Sequence, residues 1–311
     1  MISPSENKLL RYLDYFFIMR PTLFFPLWTF FLAGYYGANR ANPENIQNIP
    51  VVPMILLTLL MGSMYIINQI VDEETDAKND KLFFIAKGII SRAEATIQSA
   101  VLLFATLGVA FIISIKLGII FLVIAFFTGY LYSIKPFSWK NKPLLSIITN
   151  FGGGWSIVAC GWLASGFFDW QFALYALPFA VAIIAVFLLT TIPDIPGDAD
   201  VGKITFGVRY GIKKTTFWAL VFEVASAVIA FFLKEWILFV PAMLAMPLFV
   251  VAAWKKDNAS IGRAIKFTVL FASLAVGWVY PLYVLLLAAN YFFSKWYYRK
   301  RFGLEYPKFA A

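Results

Sequence analysis

The sequence contains no histidine, and this absence removes several kinds of chemistry. Histidine-ligated haem or zinc and every Ser/His or Cys/His nucleophilic relay are excluded. Acid, base or metal work must therefore fall to carboxylates, lysine, tyrosine or amides. There is one cysteine, Cys160, so no internal disulfide framework can form. Its position in an apolar run indicates a buried, unreactive thiol.

Charge is also scarce. Only 14% of the 311 residues are charged, against roughly 25% in an average soluble protein. Hydrophobic residues make up 61% of the chain, and the mean hydropathy is +0.77. This composition leaves too little polar surface to cover a soluble protein, and it equally excludes a disordered or collagen-like chain. The sequence therefore predicts an integral membrane protein.

Long apolar windows recur along the chain. A helix needs about 20 mainly apolar residues to cross a bilayer, and nine such windows are present, separated by short stretches that carry Pro, Gly, Asn or charge. They begin near Thr22, Val51, Ala95, Leu117, Leu145, Phe172, Thr216, Trp236 and Ile265. We expect an all-α protein with nine transmembrane helices. No linker interrupts the pattern, so residues 1–311 are expected to form a single membrane domain.

Basic residues are distributed unevenly around these windows. With nine spans, the N-terminus and the connections after spans two, four, six and eight share one side and carry 18 of the 26 Lys and Arg residues. This bias predicts that the shared side is cytoplasmic, in a multi-pass protein of a prokaryotic cell membrane. The net charge of +9 favours contact with anionic membrane lipid, and no nucleic acid partner is expected. The same count places a basic tail on the opposite side: Lys295, Arg299, Lys300, Arg301 and Lys308.

Acidic residues are few, yet eight of the 17 fall in two short stretches after the second and sixth windows. In a continued helix, Asn68, Asp72 and Asp76 share one face, because they are four residues apart. Asp194 and Asp198 repeat that spacing. Carboxylates stacked one turn apart repel each other, and an Asp inside a membrane costs about 2.5 to 3.5 kcal/mol near its centre. We therefore expect these groups to line one wet cavity, open to the cytoplasm, and to bind a divalent cation such as Mg²⁺.

Lysines stand close to both acidic stretches. Lys135, Lys140 and Lys142 follow the fourth window, and Lys203 follows the second acidic pair. Metal-bound carboxylates facing lysines describe a clamp for a diphosphate, since the cation bridges acid to phosphate and the ammonium groups neutralise the leaving charge. A general positive-inside role for each lysine stays open from the residues alone.

These motifs resemble those of the UbiA-type intramembrane prenyltransferases. That family has nine helical spans, a first Asn/Asp-x-x-x-Asp-x-x-x-Asp motif and a second Asp-x-x-x-Asp motif. Asn68-Asp72-Asp76 is similar to the first, and Asp194-Ile195-Pro196-Gly197-Asp198 is similar to the second. Further likenesses are the Gly-x-Lys-Thr-like run at residues 202–205, the Arg-x-x-Gly-like run at residues 209–211, residues 20–22 before the first span, and residues 132–140. The resemblance covers nearly the whole chain.

One loop departs from the family pattern. After the first motif, many members carry Asn-Lys-Pro-x-Arg-Pro-x-x-x-Gly, whereas residues 79–88 here read NDKLFFIAKG. The arginine and both prolines are missing. Any phosphate contact from this loop must therefore pass to Lys81 or Lys87.

The resemblance implies a Mg²⁺-dependent transfer of an isoprenyl group from an isoprenyl diphosphate to a lipophilic, aromatic acceptor, with release of diphosphate. It assigns the metal to Asn68, Asp72, Asp76, Asp194 and Asp198, with Lys203 as a further catalytic residue. Substrate contacts are assigned to Arg20, Asn68, Lys81, Tyr132, Lys135 and Lys140. Tyr132 could orient the acceptor, and Asp72 could relay its proton. A quinone precursor, a chlorophyll-type pigment, a haem, a glycerol lipid and a carotenoid all stay open as acceptors.

Two other functions stay open at this stage. An ion or solute transporter would also use intramembrane acids, which mark conduction paths. The 122 residues between Asp72 and Asp194 hint at two related halves, as transporters have, although transporter acids are expected near mid-span. A phosphatidyl-alcohol transferase also uses membrane aspartate pairs, but its Asp-Gly-x-x-Ala-Arg start is absent.

Overall fold

The computed structural model describes residues 8–43, 50–78 and 84–307. Within these ranges every regular element is a helix. The α-helices are α1 (Lys8–Phe17), α2 (Phe24–Ala41), α3 (Val51–Lys78), α4 (Arg92–Ile113), α5 (Ile115–Ala125), α6 (Pro143–Leu163), α7 (Gln171–Thr190), α8 (Ile195–Asp200), α9 (Phe206–Phe232), α10 (Trp236–Lys255), α11 (Asn258–Val279) and α12 (Pro281–Phe302).

The predicted all-α membrane architecture is confirmed. Eight helical segments in the described part of the chain are long and apolar enough to cross a bilayer: α1 with α2, then α3, α4, α6, α7, α9, α10 and α11. A shorter apolar segment, residues 115–131, occupies the fourth predicted window. The count of nine spans stays a prediction, because this segment is short and α12 adds a further long helix.

Helix α5 does not end as an α-helix. It continues into a π-helix at Phe126–Leu131, whose wider turns accommodate an extra residue. The π-helix packs against α3, since the Thr128 hydroxyl contacts the Met61 sulfur at 3.8 Å. Tyr132 and Ser133 follow immediately, so this irregular segment sets the direction in which the next loop leaves the helix.

Helices α2 and α6 cross at very short range. A Cβ added to Gly34 would overlap the Val158 carbonyl of α6, and one added to Gly161 would overlap the Phe31 carbonyl of α2. Small residues allow such close approach, which is a common basis of helix association in membranes. The crossing holds α6 against α2, the helix that precedes α3 in the chain.

The C-terminal residues differ from the expectation. The ninth apolar window, from Ile265, is interrupted at Tyr280–Pro281, and the chain turns there into α12. Helix α12 runs back along α2 and α1, because Tyr283 bonds to Thr29 and Asn290 donates to the Pro21 carbonyl. The predicted placement of the basic tail opposite the N-terminus is therefore wrong. The described tail residues Lys295, Arg299, Lys300 and Arg301 lie at the same end of the bundle as α1, since Arg301 pairs with Asp14. Lys308 lies outside the described residues.

Two buried clusters form the core. The larger draws mainly on α1 to α7 and α12, and the smaller lies among α7, α9, α10 and α11. Cys160 is fully buried in the larger one, as its sequence context indicated. The loop after α7, which carries the second acidic motif, is anchored in the smaller cluster through Ile192 and Phe206.

Candidate active site

Helix α3 carries the first acidic motif to the edge of the membrane. Its 28 residues extend for about 42 Å, whereas the hydrocarbon core of a bilayer is about 30 Å thick. Asp72 and Asp76 lie in the last two turns, beyond the length needed to cross. Both are nonetheless buried, with 8% and 5% of their surface exposed. They therefore face other parts of the protein.

A tight turn after α8 delivers Lys203. Gly202 has φ of +71°, the left-handed conformation that favours glycine. The amide of Lys203 donates to the Asp198 carbonyl at 2.8 Å, and the amide of Gly202 donates to the Ala199 carbonyl at 3.0 Å. This pair of bonds is the Schellman motif that ends many helices. It directs Lys203 onto α3, where its Nζ lies 2.5 Å from Asp72 Oδ1.

Lys140 reaches the same carboxylate from another loop. A 3₁₀ turn at Trp139–Asn141 follows Ser138, which has φ of +39°, and it buries Lys140 to 7% exposure. Lys140 Nζ lies 2.8 Å from Asp72 Oδ2 and donates to Asn68 Oδ1 at 3.0 Å. Burial lowers the pKa of the Lys140 ammonium, an effect that the adjacent Asp72 carboxylate opposes.

Asp72 is consequently the centre of a network that joins three parts of the chain. Each of its oxygens contacts one lysine, Lys140 from the α5–α6 loop or Lys203 from the α8–α9 loop. Asn68 Oδ1 accepts a second bond, from the Ser133 hydroxyl at 3.2 Å. No role was predicted for Ser133, although it lies within residues 132–140, which resemble the family pattern. In this arrangement the Asn68 oxygen orients Lys140, and its metal ligation stays a prediction.

The second motif approaches the same place. Asp194 is the N-cap residue of the short helix α8, and Asp198 in its first turn is 7% exposed. Helices α3 and α8 are in contact. The Tyr132 hydroxyl lies within electrostatic range of Asp72, Asp194 and Asp198 together, and Lys140 lies within range of Asp76. The two acidic motifs thus converge on one region from separate parts of the fold.

Arg20 joins this region through an unusual backbone turn. Its φ and ψ of 56° and 62° are left-handed, and this turn connects α1 to the helical turn Pro21–Leu23. The charge of Arg20 also acts on Tyr132. The predicted substrate-binding residues Arg20, Asn68, Tyr132 and Lys140 are therefore near the acidic motifs.

One predicted substrate-binding residue, Lys135, is not brought to this site. Lys135 is exposed and lines a separate open depression of about 620 Å³ together with Lys142. Pro136 lines the same depression, and the role of Lys135 in substrate binding stays a prediction. Lys81 lies outside the described residues, and Lys87, its alternative in the same loop, is exposed.

The aspartates of the two motifs suit a metal ion that binds together with a phosphate ligand better than one held by protein side chains alone. Within the described ranges, no three Asp or Glu side chains are grouped closely enough to hold an ion by themselves. Mg²⁺ does not need such a cage, since it commonly takes one or two carboxylates and fills its shell with water and phosphate oxygens. Buried aspartates with hard oxygen ligands, next to two lysines, fit that mode of binding.

Curated proteins with similar sequences are named as prenyltransferases or phytyltransferases. A probable homogentisate phytyltransferase 2 from Oryza sativa subsp. japonica is 27% identical over 177 residues, which cover 52% of this chain and 45% of that protein. A 2-acylphloroglucinol 4-prenyltransferase from Humulus lupulus is 28% identical over 179 residues, covering 52% and 42%. The chain thus spans less than half the length of these curated relatives.

Solved structures share the fold. A UbiA homologue from Archaeoglobus fulgidus, bound to GPP and Mg²⁺, superposes with a TM-score of 0.65 at 17% identity, covering 85% of this chain and 99% of that one. A digeranylgeranylglyceryl phosphate synthase gives 0.62 at 21% identity, covering 86% and 97%. The profile of the UbiA prenyltransferase family matches residues 26–267, and the chain therefore belongs to the UbiA prenyltransferase family.

Proposed function

We propose that this protein transfers an isoprenyl group from an isoprenyl diphosphate to a lipophilic, aromatic acceptor in the membrane, in a Mg²⁺-dependent reaction that releases diphosphate. The observation that supports this most directly is the pairing of Asp72 with two lysines from different loops. Cations held next to buried carboxylates can be shared with an incoming phosphate group, because their positions are already fixed around one point.

The diphosphate end of the donor would lie among these groups. Bound Mg²⁺ would supply positive charge to the departing diphosphate. Lys140 and Lys203 would turn from Asp72 toward the phosphate oxygens and stabilise the same charge. The metal would be held by the two acidic motifs, which provide Asp72, Asp76, Asp194 and Asp198, with Asn68 assisting.

The reaction would then proceed by cleavage of the allylic C–O bond. The electron pair leaves with diphosphate, and the allylic carbon forms a new bond to the acceptor. The acceptor then loses a proton, which Asp72 would relay. Tyr132 would orient the acceptor, because carboxylates of both acidic motifs act electrostatically on its hydroxyl. Exclusion of water by the surrounding helices protects the cationic carbon from hydrolysis.

We propose that the acceptor is aromatic. The relatives are named for aromatic acceptors, which favours an aromatic substrate over a glycerol lipid or a carotenoid. We propose one domain over residues 1–311, in a membrane of prokaryotic type with the site on the cytoplasmic side.

A transporter is disfavoured, since Asp72 and Asp76 lie at the end of α3 and not near its middle.

The test uses the purified full chain in phosphatidylcholine nanodiscs with Mg²⁺, a labelled allylic diphosphate and a panel of acceptors. We expect prenyl transfer and diphosphate release that both stop with EDTA and with Asp76→Asn. Asp200→Asn is the matched control, because Asp200 belongs to the same acidic stretch but is exposed. Full activity of Asp76→Asn would refute the metal assignment. Ion-dependent flux in sealed vesicles, with no prenyl product from any acceptor, would refute the enzymatic function.

A further inference from the structure

Helix α12 has two opposite faces with different surroundings. One face is buried and holds α1 and the turn at Pro21. Tyr297 stacks on Phe17 with ring centroids 3.6 Å apart, and Asn290 donates to the Pro21 carbonyl at 2.8 Å. By helical spacing, the residues on the other side point away from this contact. The buried face therefore fixes the orientation in which α12 presents its outer face.

The outer face is apolar along most of its length. Leu282, Leu285 and Phe292 lie within about 80° of one another around the helix axis, and they are 70%, 65% and 66% exposed. Large apolar side chains exposed to this degree in a membrane protein contact lipid chains. This part of α12 therefore faces the bilayer.

The same face becomes cationic at its end. Lys295, Trp296, Arg299 and Lys300 continue it, and together with Phe292 they line a depression of about 530 Å³. The residues that line it include three cations and no acid. The helix dipole favours cations at a helix C-terminus. The dipole alone does not explain a depression that is also lined by the rings of Trp296 and Phe292. A ring at this depth is typical of the boundary between lipid chains and headgroups.

We propose that this surface binds the headgroup of an anionic glycerophospholipid, with the acyl chains lying along the apolar part of α12. The dimensions fit one leaflet. Leu285 and Trp296 are 11 residues apart, or about 16 Å along the helix, and half of a hydrocarbon core is about 15 Å. Charge complementarity selects a phosphate monoanion without a compensating amine, because three cations converge and no carboxylate lines the depression.

This lipid would act on the helix that supports Arg20. The face opposite the lipid surface provides the Asn290 bond to Pro21, the residue that follows the left-handed Arg20. A lipid that binds only the folded arrangement of α12 stabilises it by mass action. The inference is independent of the proposed enzymatic function, since none of the residues that line the depression belongs to the proposed active site.

The experiment measures thermal unfolding of the full chain in phosphatidylcholine nanodiscs as phosphatidylglycerol is titrated in. We expect phosphatidylglycerol to raise the Tm to a plateau. The triple variant Lys295→Gln, Arg299→Gln, Lys300→Gln should need on the order of 100-fold more of it, because each removed cation weakens binding several-fold. The matched control is Lys255→Gln, Lys256→Gln, Arg263→Gln, which removes three exposed cations from the α10–α11 end on the same side.

Several outcomes would overturn the proposal. They are an unchanged Tm with phosphatidylglycerol, an equal loss in both triple variants, or the same rise with inorganic phosphate in place of lipid. A second measurement avoids any folding defect of the triple variant. Phosphatidylglycerol with brominated chains should quench the fluorescence assigned to Trp296, by difference from Trp296→Phe, at a much lower mole fraction than brominated phosphatidylcholine. Equal quenching by both lipids would also refute the proposal.

Discussion

Two buried aspartates on the same side of the protein have contrasting partners. Asp14 of α1 accepts bonds from the Tyr297 hydroxyl at 2.5 Å and from Arg301 at 3.0 Å and 2.8 Å. Among the described residues, the ion-pair partners of Asp72 of α3 are the ammonium groups of Lys140 and Lys203. A guanidinium is a rigid fork that matches a carboxylate in shape, whereas an ammonium is a point charge on a flexible stem.

The difference separates a structural ion pair at Asp14 from the network at Asp72 that we propose to be functional. The Asp14 cluster holds α12 on α1, and its carboxylate is fully used by fixed donors. The two lysines at Asp72 can turn toward another anion while their backbones stay in place. Burial of an ion pair therefore does not by itself identify an active site, and the type of cation is the more informative feature.

The largest effect should follow from Asp14→Asn. It leaves the Arg301 guanidinium buried, charged and without its carboxylate, and breaking a buried pair in this way costs about 3–5 kcal/mol. Denaturant unfolding in detergent measures the loss. Turnover at temperatures where the variant remains folded should be close to wild type. If Asp14→Asn is stable but inactive, the Asp14 cluster serves activity and not stability, and its contrast with Asp72 is wrong.

Asp72→Asn should have the opposite signature. We expect turnover to fall by a factor of about 10² to 10³, the usual loss when one electrostatic group of a catalytic site is removed. Stability should change less than in Asp14→Asn, because the lysines have flexible stems and Lys203 is partly exposed. The same unfolding assay, run beside product formation, checks both quantities. Wild-type turnover would remove Asp72 from the proposed mechanism.

Arg301→Lys tests the role of the fork. The charge stays, but one of the two bonds to Asp14 is lost, and a hydrogen bond to a charged group contributes about 1.5–3 kcal/mol. The expected result is a destabilisation of that size with unchanged turnover. If Arg301→Lys is as stable as the wild type, the shape of the guanidinium does not distinguish the Asp14 cluster from the Asp72 network.

The smallest effect is expected at the opposite end of the protein. Arg40 pairs there with Glu235 of the α9–α10 connection, and Arg40 is 39% exposed, so the pair contributes about 0.2–1 kcal/mol. Burial raises the pKa of the Glu235 carboxyl, although Arg40 opposes this. The folded protein therefore favours the protonated Glu235 carboxyl, because Arg40 offsets only part of the cost of burying the charge. The stability that comes from this raised pKa is greatest below the ordinary pKa of glutamate and is lost as the pH rises through the raised value. Glu235→Gln should abolish this pH dependence of Tm without altering turnover.

Much of the fold was predictable from local pattern. Apolar windows located α2 to α7 and α9 to α11, because bilayer thickness fixes the length of a spanning helix, whereas no window indicated the short helix α8. Helix α12 was missed, since Lys295, Arg299 and Lys300 make its second half resemble a soluble tail. Its position depends on contacts such as Asn290 with Pro21, which are 269 residues apart. Hydropathy carries no information about such pairs.

The site was predictable in part for a similar reason. Helical spacing placed Asp72 and Asp76 on one face, and the second motif indicated Asp198 and Lys203. The difference between Lys135 and Lys140 was not predictable, because it depends on the path of a loop with a left-handed residue, Ser138. Which of two nearby lysines is buried is decided by that path and not by their neighbours in sequence.

The π-helix at Phe126–Leu131 has a consequence for how this loop could have arisen. An α-helix rotates by roughly 100° per residue, so a single-codon insertion or deletion in this stretch re-aims everything that follows by about a quarter turn. The loop that begins at Tyr132 would then lead Lys140 in a new direction, while the windows before and after kept their hydropathy. A single-codon insertion or deletion would thus change the geometry of the proposed catalytic site and leave the membrane-spanning helices in place.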